Sequence, residues 1–466
     1  MGTDPVVFKR YSALLFPLLL GGGVLLSSSP AFAAGFFLPT RGVESTGRGG
    51  ATIAPHRGDL NGIWFNPAGL SLLEERQLVV DLGIVGRVDS FQRAPREMPD
   101  GSIRTYEEVS NQAPPNTIPQ ILVGGPTGID GLGWAVGAYT GYTGSGRYDE
   151  NGPQRYVLID NTGSALGYIH AALGWQVNER LSIGGGIQNF MGSFRVVTKG
   201  SGYAGLFGDP EDEDLDMLAE TTITSFFGPS ANLGVSYLLT PNLQTGLSFQ
   251  LPTIFRDREA TIDVRVPEHV AYDNATVSDD RVDISIPFPF YARAGLRYFA
   301  ESFDIELAIV YQHWSSFDEL EVSPAQAEVT GVPGVGSVPV DPFTLPQDFR
   351  NTFSLHLGGD HYTTDDLTLR GGLTYERGAV PDHTYSSFNL DPDKFQLSFG
   401  GSFQRGSLRF DATLAGILMP TKVITNSEVR QVNPSEDEDQ ELTLVVGNGT
   451  YRHFGYIAGF GVRYLF

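Results

Sequence analysis

The last sixteen residues, Tyr451 to Phe466, constrain this chain more than any other stretch. Their even positions include Phe454, Tyr456, Ala458, Phe460, Val462, Tyr464 and Phe466, all apolar or aromatic, while the odd positions include His453, Gly455, Gly459, Gly461 and Arg463. Side chains alternate across a strand, so one face is greasy and the other small or polar. A soluble sandwich edge can carry such a face. A terminal strand with aromatics at both ends fits better the closing strand of a barrel whose outer wall meets lipid.

The opposite end agrees. Lys9 and Arg10 precede an apolar run from Ala13 to Leu26, followed by Ser27-Ser28-Ser29-Pro30 and Ala31-Phe32-Ala33. Basic residues, a short apolar run and a small-residue cleavage site, in that order, make a secretory signal. The run is too short and glycine-interrupted for a spanning helix, which wants roughly 20 apolar residues. Residues 1–33 therefore read as a signal peptide, with the mature chain starting near Ala34.

Composition narrows the class. The chain has no cysteine, so a disulfide framework, a thiol nucleophile and a thiolate metal site are excluded. A formal charge of −23 argues against a nucleic-acid partner. No cofactor is expected. The 57 glycines and the many Phe and Tyr suit strands that show one face to lipid and the other to a polar lumen.

Period-two alternation gives about fourteen candidate strands. Phe303, Ile305, Leu307, Ile309 and Tyr311 oppose Asp304, Glu306, Ala308 and Gln312; Leu408, Phe410, Ala412 and Leu414 oppose Arg409, Asp411 and Thr413. From a first strand near Gln77 to Val88, the connections alternate long and short. Long ones fall near 89–116, 143–163, 198–220, 257–283, 315–349, 378–392 and 420–450; short ones fall near 126–130, 178–179, 240–241, 300–302, 364–365 and 405–406. Short periplasmic turns and long outward loops are the habit of outer-membrane barrels, and a sandwich has no reason to keep that parity. The expected fold is an all-β, antiparallel transmembrane barrel of about fourteen strands over residues 77–466. Residues 34–76, rich in Gly and Pro yet carrying Phe36-Phe37-Leu38, Ile53, Ile63-Trp64-Phe65 and Leu70, read as a plug inside it. Asn66-Pro67-Ala68 starts a helical turn there, with Pro at the first helical position.

In this order the motifs resemble the FadL/TodX family of outer-membrane transporters for hydrophobic compounds. The carriers are Ala34-Gly35-Phe36, Gly47-Arg48-Gly49-Gly50-Ala51, Asp59, and Trp64-Phe65-Asn66-Pro67-Ala68-Gly69-Leu70. Further on come Trp314-Ser315-Ser316-Phe317, Pro346-Gln347-Asp348-Phe349 and Thr368 to Glu376, where Thr374-Tyr375-Glu376 departs from the family's usual Tyr-Asp ending. The resemblance implies a barrel plugged by an N-terminal hatch, with a kinked third strand that opens the wall sideways into the membrane. In Gly131 to Gly137 the inner face carries Gly131, Gly133 and Gly137, which mark either that bend or simply room for the hatch.

A long acyl chain gains roughly 0.8 kcal/mol for each buried CH₂, so it binds an apolar pocket and resists a polar lipopolysaccharide layer. Passive uptake through sequential sites, with lateral exit, needs no energy source. If the ligand is a carboxylate, a luminal cation should meet it. Alternation turns Arg293, Arg297, Arg370, Arg409 and Arg463 inward, either to that end or to pair with Asp304, Glu306, Glu376 and Asp411. Phe207 and Leu215, in an outer loop, are candidates for the first ligand contact. The acidic runs Glu211 to Asp216 and Glu436 to Asp439 lack the Gly and terminal Glu of an EF-hand and read as solvated loops, bridged to lipopolysaccharide by divalent ions. A general diffusion porin would not need the plug. An outer-membrane lipid hydrolase would need a paired nucleophile and His, and no Gly-x-Ser-x-Gly elbow is present. A monomer is expected of a self-closed barrel.

Overall fold

The computed structural model describes residues 40–466 except 143, 204, 206–207, 279, 325–327, 333–335, 340–342 and 434–441. The signal peptide, Phe36 to Leu38, Phe207 and the acidic run Glu436 to Asp439 lie outside the described residues.

Fourteen antiparallel strands close into a barrel. They are β1 (Gln77–Arg93), β2 (Asn116–Pro126), β3 (Leu132–Thr140), β4 (Ala165–Gln176), β5 (Leu181–Ser201) and β6 (Asp216–Thr240). Strand β7 (Leu243–Gln250, resuming as Thr253–Arg265), β8 (Arg281–Phe288, resuming as Tyr291–Phe299), β9 (Phe303–Gln312, resuming as Glu319–Pro324) and β10 (Phe343–Pro346, resuming as Thr352–Tyr362) are interrupted. β11 (Leu367–Glu376), β12 (Lys394–Arg405), β13 (Leu408–Ile424) and β14 (Gly449–Leu465) complete the wall. Closure is made by β14 against β1, in register from Gln77↔Leu465 to Arg93↔Gly449. It leaves no free edge.

The alternation has its physical origin in two solvents. Leu233, Val235 and Tyr237, Leu247 and Phe249, Leu307 and Ile309, Leu397 and Phe399, and Phe454 and Phe460 all stay exposed on the outside. An apolar belt of that extent belongs in lipid. The intervening Ser236, Ser248, Glu306, His356, Thr374, Ser398 and Asp411 are buried in the lumen. Strands run past the expected boundaries at the long-loop end; β6 begins at Asp216 and the resumed β7 reaches Arg265, so two of the expected loops are partly strand. Polar side chains there mask the alternation that lipid imposes lower down.

Residues 40–76 lie inside the barrel as a short helix α1 (Val43–Gly47), a single turn α2 (Gly62–Phe65) and a 3₁₀ turn (Pro67–Leu72). Asn66 caps that last turn, its Oδ1 accepting from the Ala68 amide at 3.1 Å, while its Nδ2 donates to the carbonyls of Ile53 (2.8 Å) and Val235 (3.1 Å). One residue thus ends one turn through its backbone amide and starts the next through its side chain, which also ties the plug to β6. The wall accommodates the turn with glycine: a Cβ at Gly133, Gly174 or Gly184 would overlap the backbone of Leu70 or Pro67.

Candidate functional site

The lumen holds two distinct clusters. Near the short turns the inner elements are bolted to the wall by ions. Glu44 meets Arg463 at 2.7 Å, Arg409 at 2.8 Å and Arg370 at 3.8 Å. Arg48 meets Asp304 at 2.7 Å and Asp360 at 2.9 Å. Glu306 accepts from the Ile53 and Ala54 amides at 2.6 and 3.0 Å with one oxygen and meets Arg297 at 2.6 Å with the other. Burial alone would raise the Glu44 carboxyl, but Arg409, Arg370 and Arg463 more than reverse this and hold it well below the usual carboxylate range. Burial, reinforced by Arg297 and Arg57, pushes His56 down to about 4, and its ring stacks on Phe299 at 3.7 Å. A polar cavity of about 650 Å³ opens here, bordered by Arg48, His56, Asp59, Arg297, Arg370 and Arg463.

Toward the long loops the chemistry changes. Trp64 projects from α2 into a cage of rings: Tyr168 at 5.5 Å, Tyr139 at 5.9 Å and Tyr291 at 6.2 Å. Phe190, Phe255 and Phe288 extend it. Two guanidinium groups lie against the indole, Arg41 at 3.5 Å and Arg293 at 4.8 Å from its centroid. Arg41 donates to the carbonyl of Gly141 at 2.6 Å, and burial lowers its pKa. Arg293 is 3% exposed and donates to Gln250 Oε1 at 3.1 Å. Its Nη1 has no hydrogen-bond partner and no carboxylate reaches it, among the described residues. A buried cation without an anion in an apolar cage is costly unless something supplies the charge. The arrangement suits a molecule with a greasy body and an acidic end.

The third strand borders this cage. Gly133 and Gly137 lie within β3, but Gly131, with φ of 70°, sits in the turn before it rather than on the inner face of the strand. Gly137 packs against Leu122 and the Ile121 carbonyl, and Gly133 against Leu70. Beyond Thr140 the chain leaves the wall: Tyr142 is buried and its hydroxyl lies 2.8 Å from that of Tyr291 across the lumen. Asn116 to Pro119 of β2 and Ala165 and Leu166 of β4 consequently have no ladder partner on the β3 side.

The remaining sequence candidates lie elsewhere. Arg297 and Arg370 stand in the ion cluster, and Glu376 pairs with Lys394 at 2.7 Å instead of an arginine. Leu215 packs with Tyr272 and Ala275 in a separate outer-loop cluster. The acidic run beside it is not simply solvated: Glu211 is 3% exposed beneath Arg93, Arg96 and Arg104, and Asp216 meets Arg155 at 2.7 Å. Its neutralising arginines come from distant loops. Among the described residues no group of His, Asp and Glu is arranged to hold a metal ion. Arg41 and Glu44 had no sequence signal, and Arg48 only its place in the Gly47–Ala51 motif, because alternation does not operate in a plug.

A closed barrel with an internal plug and an apolar luminal cage is the architecture of an outer-membrane transport protein. The family model for outer membrane protein transport proteins (OMPP1/FadL/TodX) matches residues 24–466, and the chain belongs to that family. It is 22% identical to outer membrane protein P1 of Haemophilus influenzae over 96% of this chain and 98% of the relative. A long-chain fatty acid transport protein of Salmonella typhi is 24% identical over 24% of this chain and 22% of its own length. Among solved structures, a Pseudomonas aeruginosa FadL homologue superposes with a TM-score of 0.72 at 17% identity, covering 92% of this chain and 99% of the other. The Pseudomonas putida toluene transporter TodX gives 0.62 at 16% identity over 92% and 99%. These likenesses establish the outer-membrane location and the fold.

Proposed function

We propose that this chain carries long-chain carboxylic acids passively across the outer membrane, with residues 34–76 acting as the hatch. The observation that carries the reading is Arg293, buried in an aromatic cage with no carboxylate partner among the described residues. An acyl carboxylate would supply the missing charge at Arg293 and lay its chain along Tyr142, Phe190 and Phe288. Hydrogen bonds to a charged group are worth roughly 1.5–3 kcal/mol, enough for selection but not for trapping. Lateral exit past β3 is favoured by the way the chain leaves the wall after Thr140. The name of the Salmonella relative supports the fatty-acid reading; that of TodX supports an uncharged hydrocarbon, for which the rings alone would serve. The working unit is a monomer in contact with lipid and lipopolysaccharide.

The test is uptake of labelled oleate and labelled toluene by cells that lack their own transporter and express this chain or its Arg293→Met variant. Oleate uptake lost in the variant, with toluene unaffected, is expected. Equal uptake of both by both proteins removes the carboxylate from the proposal, and sugar uptake without either moves the chain to the porin class.

A further inference from the structure

Ladder pairing between β6 and β7 fails over one stretch of the wall. Below it, Gln250 pairs with Asn232 and the Leu251 amide donates to the Ala231 carbonyl at 2.9 Å. Above it, pairing resumes at Thr261↔Thr222. Between these points Ile223 to Ser230 and Pro252 to Ala260 face each other without a ladder bond among the described residues. Two side chains span the break: Asp257 accepts from the Thr224 amide at 2.7 Å, and Ser230 donates to the Leu251 carbonyl at 2.7 Å. Pro252 cannot donate.

A comparable interruption lies between β8 and β9. There a turn, Trp314–Ser316, is inserted, and Trp314 and Phe317 fill it. Nothing is inserted between β6 and β7. Instead, β6 carries a bulge. Phe190↔Gly228 is followed by Gly192↔Ser225, so Phe226 and Phe227 oppose Met191 alone. The Asn189 side chain holds the bulge, donating to the Phe226 carbonyl at 2.9 Å and accepting from the Gly228 amide at 3.0 Å. Bulges re-aim side chains. Here both phenylalanines turn outward, and Phe227, 77% exposed, is the most exposed large apolar side chain of the described residues.

The break lies where the lipid-facing surface changes. Leu233, Val235, Leu247 and Phe249 face out below it, the exposed Arg256 and Arg258 lie within it, and Glu220 lies above. A change from apolar to charged side chains is where a lipid belt ends. Backbone groups without ladder partners are tolerated at membrane depth only where they line a cavity or are buried in protein. Inside the break stand Phe190 and Phe255, 5.7 Å apart, and Phe190 continues through Phe288 at 4.8 Å to Tyr142 at 4.4 Å. A row of rings therefore leads from the cage to the inner side of the break, and Phe226 and Phe227 of the bulge stand on its lipid side. Thr253 Oγ1, buried beside the break, has no hydrogen-bond partner among the described residues.

We propose that the β6–β7 break is a second lateral portal, through which a hydrophobic ligand passes between the aromatic cage and the outer leaflet. The portal rests on the transport reading above. Phe190 and Phe255 are its inner gate, Phe226 and Phe227 its outer lip, and the Asp257–Thr224 bond its latch. The wall parts here without breaking a ladder.

A staple tests it. A Cβ at Gly228 would lie 3.1 Å from Thr253 Oγ1, within reach of a disulfide, and the chain has no cysteine to compete. The Gly228→Cys/Thr253→Cys barrel is compared in its oxidised and reduced forms for oleate and toluene uptake by intact cells. Uptake should fall several-fold on oxidation and recover on reduction, while the same treatments leave the unaltered chain unchanged. An oxidised barrel that transports as well as the reduced one overturns the portal and leaves the transport reading intact. If the unaltered chain takes up neither compound, both readings fall together. Should the paired cysteines prevent folding, a photoactivatable fatty acid is applied to the unaltered chain. Labelling of Phe190 and Phe255 is expected, and labelling confined to Tyr139 and Tyr168 overturns the portal.

Discussion

At the short-turn end of the lumen, the guanidinium groups of Arg48, Arg297, Arg370, Arg409 and Arg463 are held by carboxylates; at the long-loop end, Arg41 and Arg293 are held by rings. The first set satisfies its charge within the protein and spends it on position, fixing the plug to β9, β10, β11, β13 and β14. The second set keeps its charge against an apolar surface, and on the proposed reading Arg293 is where an incoming anion would use it. On that reading, identical side chains serve as fastener or receptor according to what they are packed against.

Removing the central anion should break the fastener outright. Glu44→Gln removes the carboxylate shared by three guanidinium groups, leaving Arg463 with Asp59, Arg409 with Asp411 and Arg370 with Asp360 and Asp411, and so cuts the ionic tie between α1 and the wall. Raised ion conductance in planar bilayers and sensitivity of cells to large antibiotics are expected, with the barrel itself still folded by gel mobility. An intact seal would mean that the plug is held by packing instead. Trp64→Leu acts on the other end. It removes the surface shared by Arg41 and Arg293, where each desolvated cation–ring contact is worth about 2 kcal/mol. Oleate and toluene uptake should both fall while conductance stays at the parental level. A leak in this variant would erase the distinction between the two ends.

Acid gives the smallest effect on the fastener. His56, whose folded value of about 4 lies below the ordinary 6.5, contributes stability that is complete above pH 6.5 and is lost toward pH 4. Glu44, held below the ordinary 4.5, adds a further loss as pH falls beneath that value. Asp59 opposes them, since burial and Glu44 raise its carboxyl and protonation relieves it. The expected outcome is a modest rise in protease access to the plug between pH 6.5 and 4, abolished in His56→Phe. A flat profile would remove His56 from the fastener.

The wall was readable because lipid and lumen impose opposite demands on successive residues: Leu307 and Ile309 must be apolar, and Asp304, Glu306 and Gln312 must not meet lipid. Asn66-Pro67-Ala68 was readable because capping and a fixed proline φ act locally. The pairing of Arg48 with Asp304, 256 residues away, leaves no such local mark. Nor does the shielding of Glu211 by Arg93 and Arg104, so the acidic run looked solvated. Inward-facing arginines were identified by alternation, but alternation does not distinguish Arg293 from Arg297, whose fates are set by Trp64 on one side and Glu306 on the other. The turn position of Gly131 depends on a boundary one residue wide.

The seam between β1 and β14 has a consequence for how the molecule comes into being. Gln77 meets Leu465 there, and the Phe466 amide donates to the Arg76 carbonyl at 2.9 Å. The wall therefore closes only when the final strand has been made, and the plug, although synthesised first, gains most of its ionic partners from strands made late, β9 to β14. Contacts so distant along the chain are slow to form. A wall that lacks β14 forfeits the seam with β1 and, with it, the Arg463 that holds Glu44 of the plug.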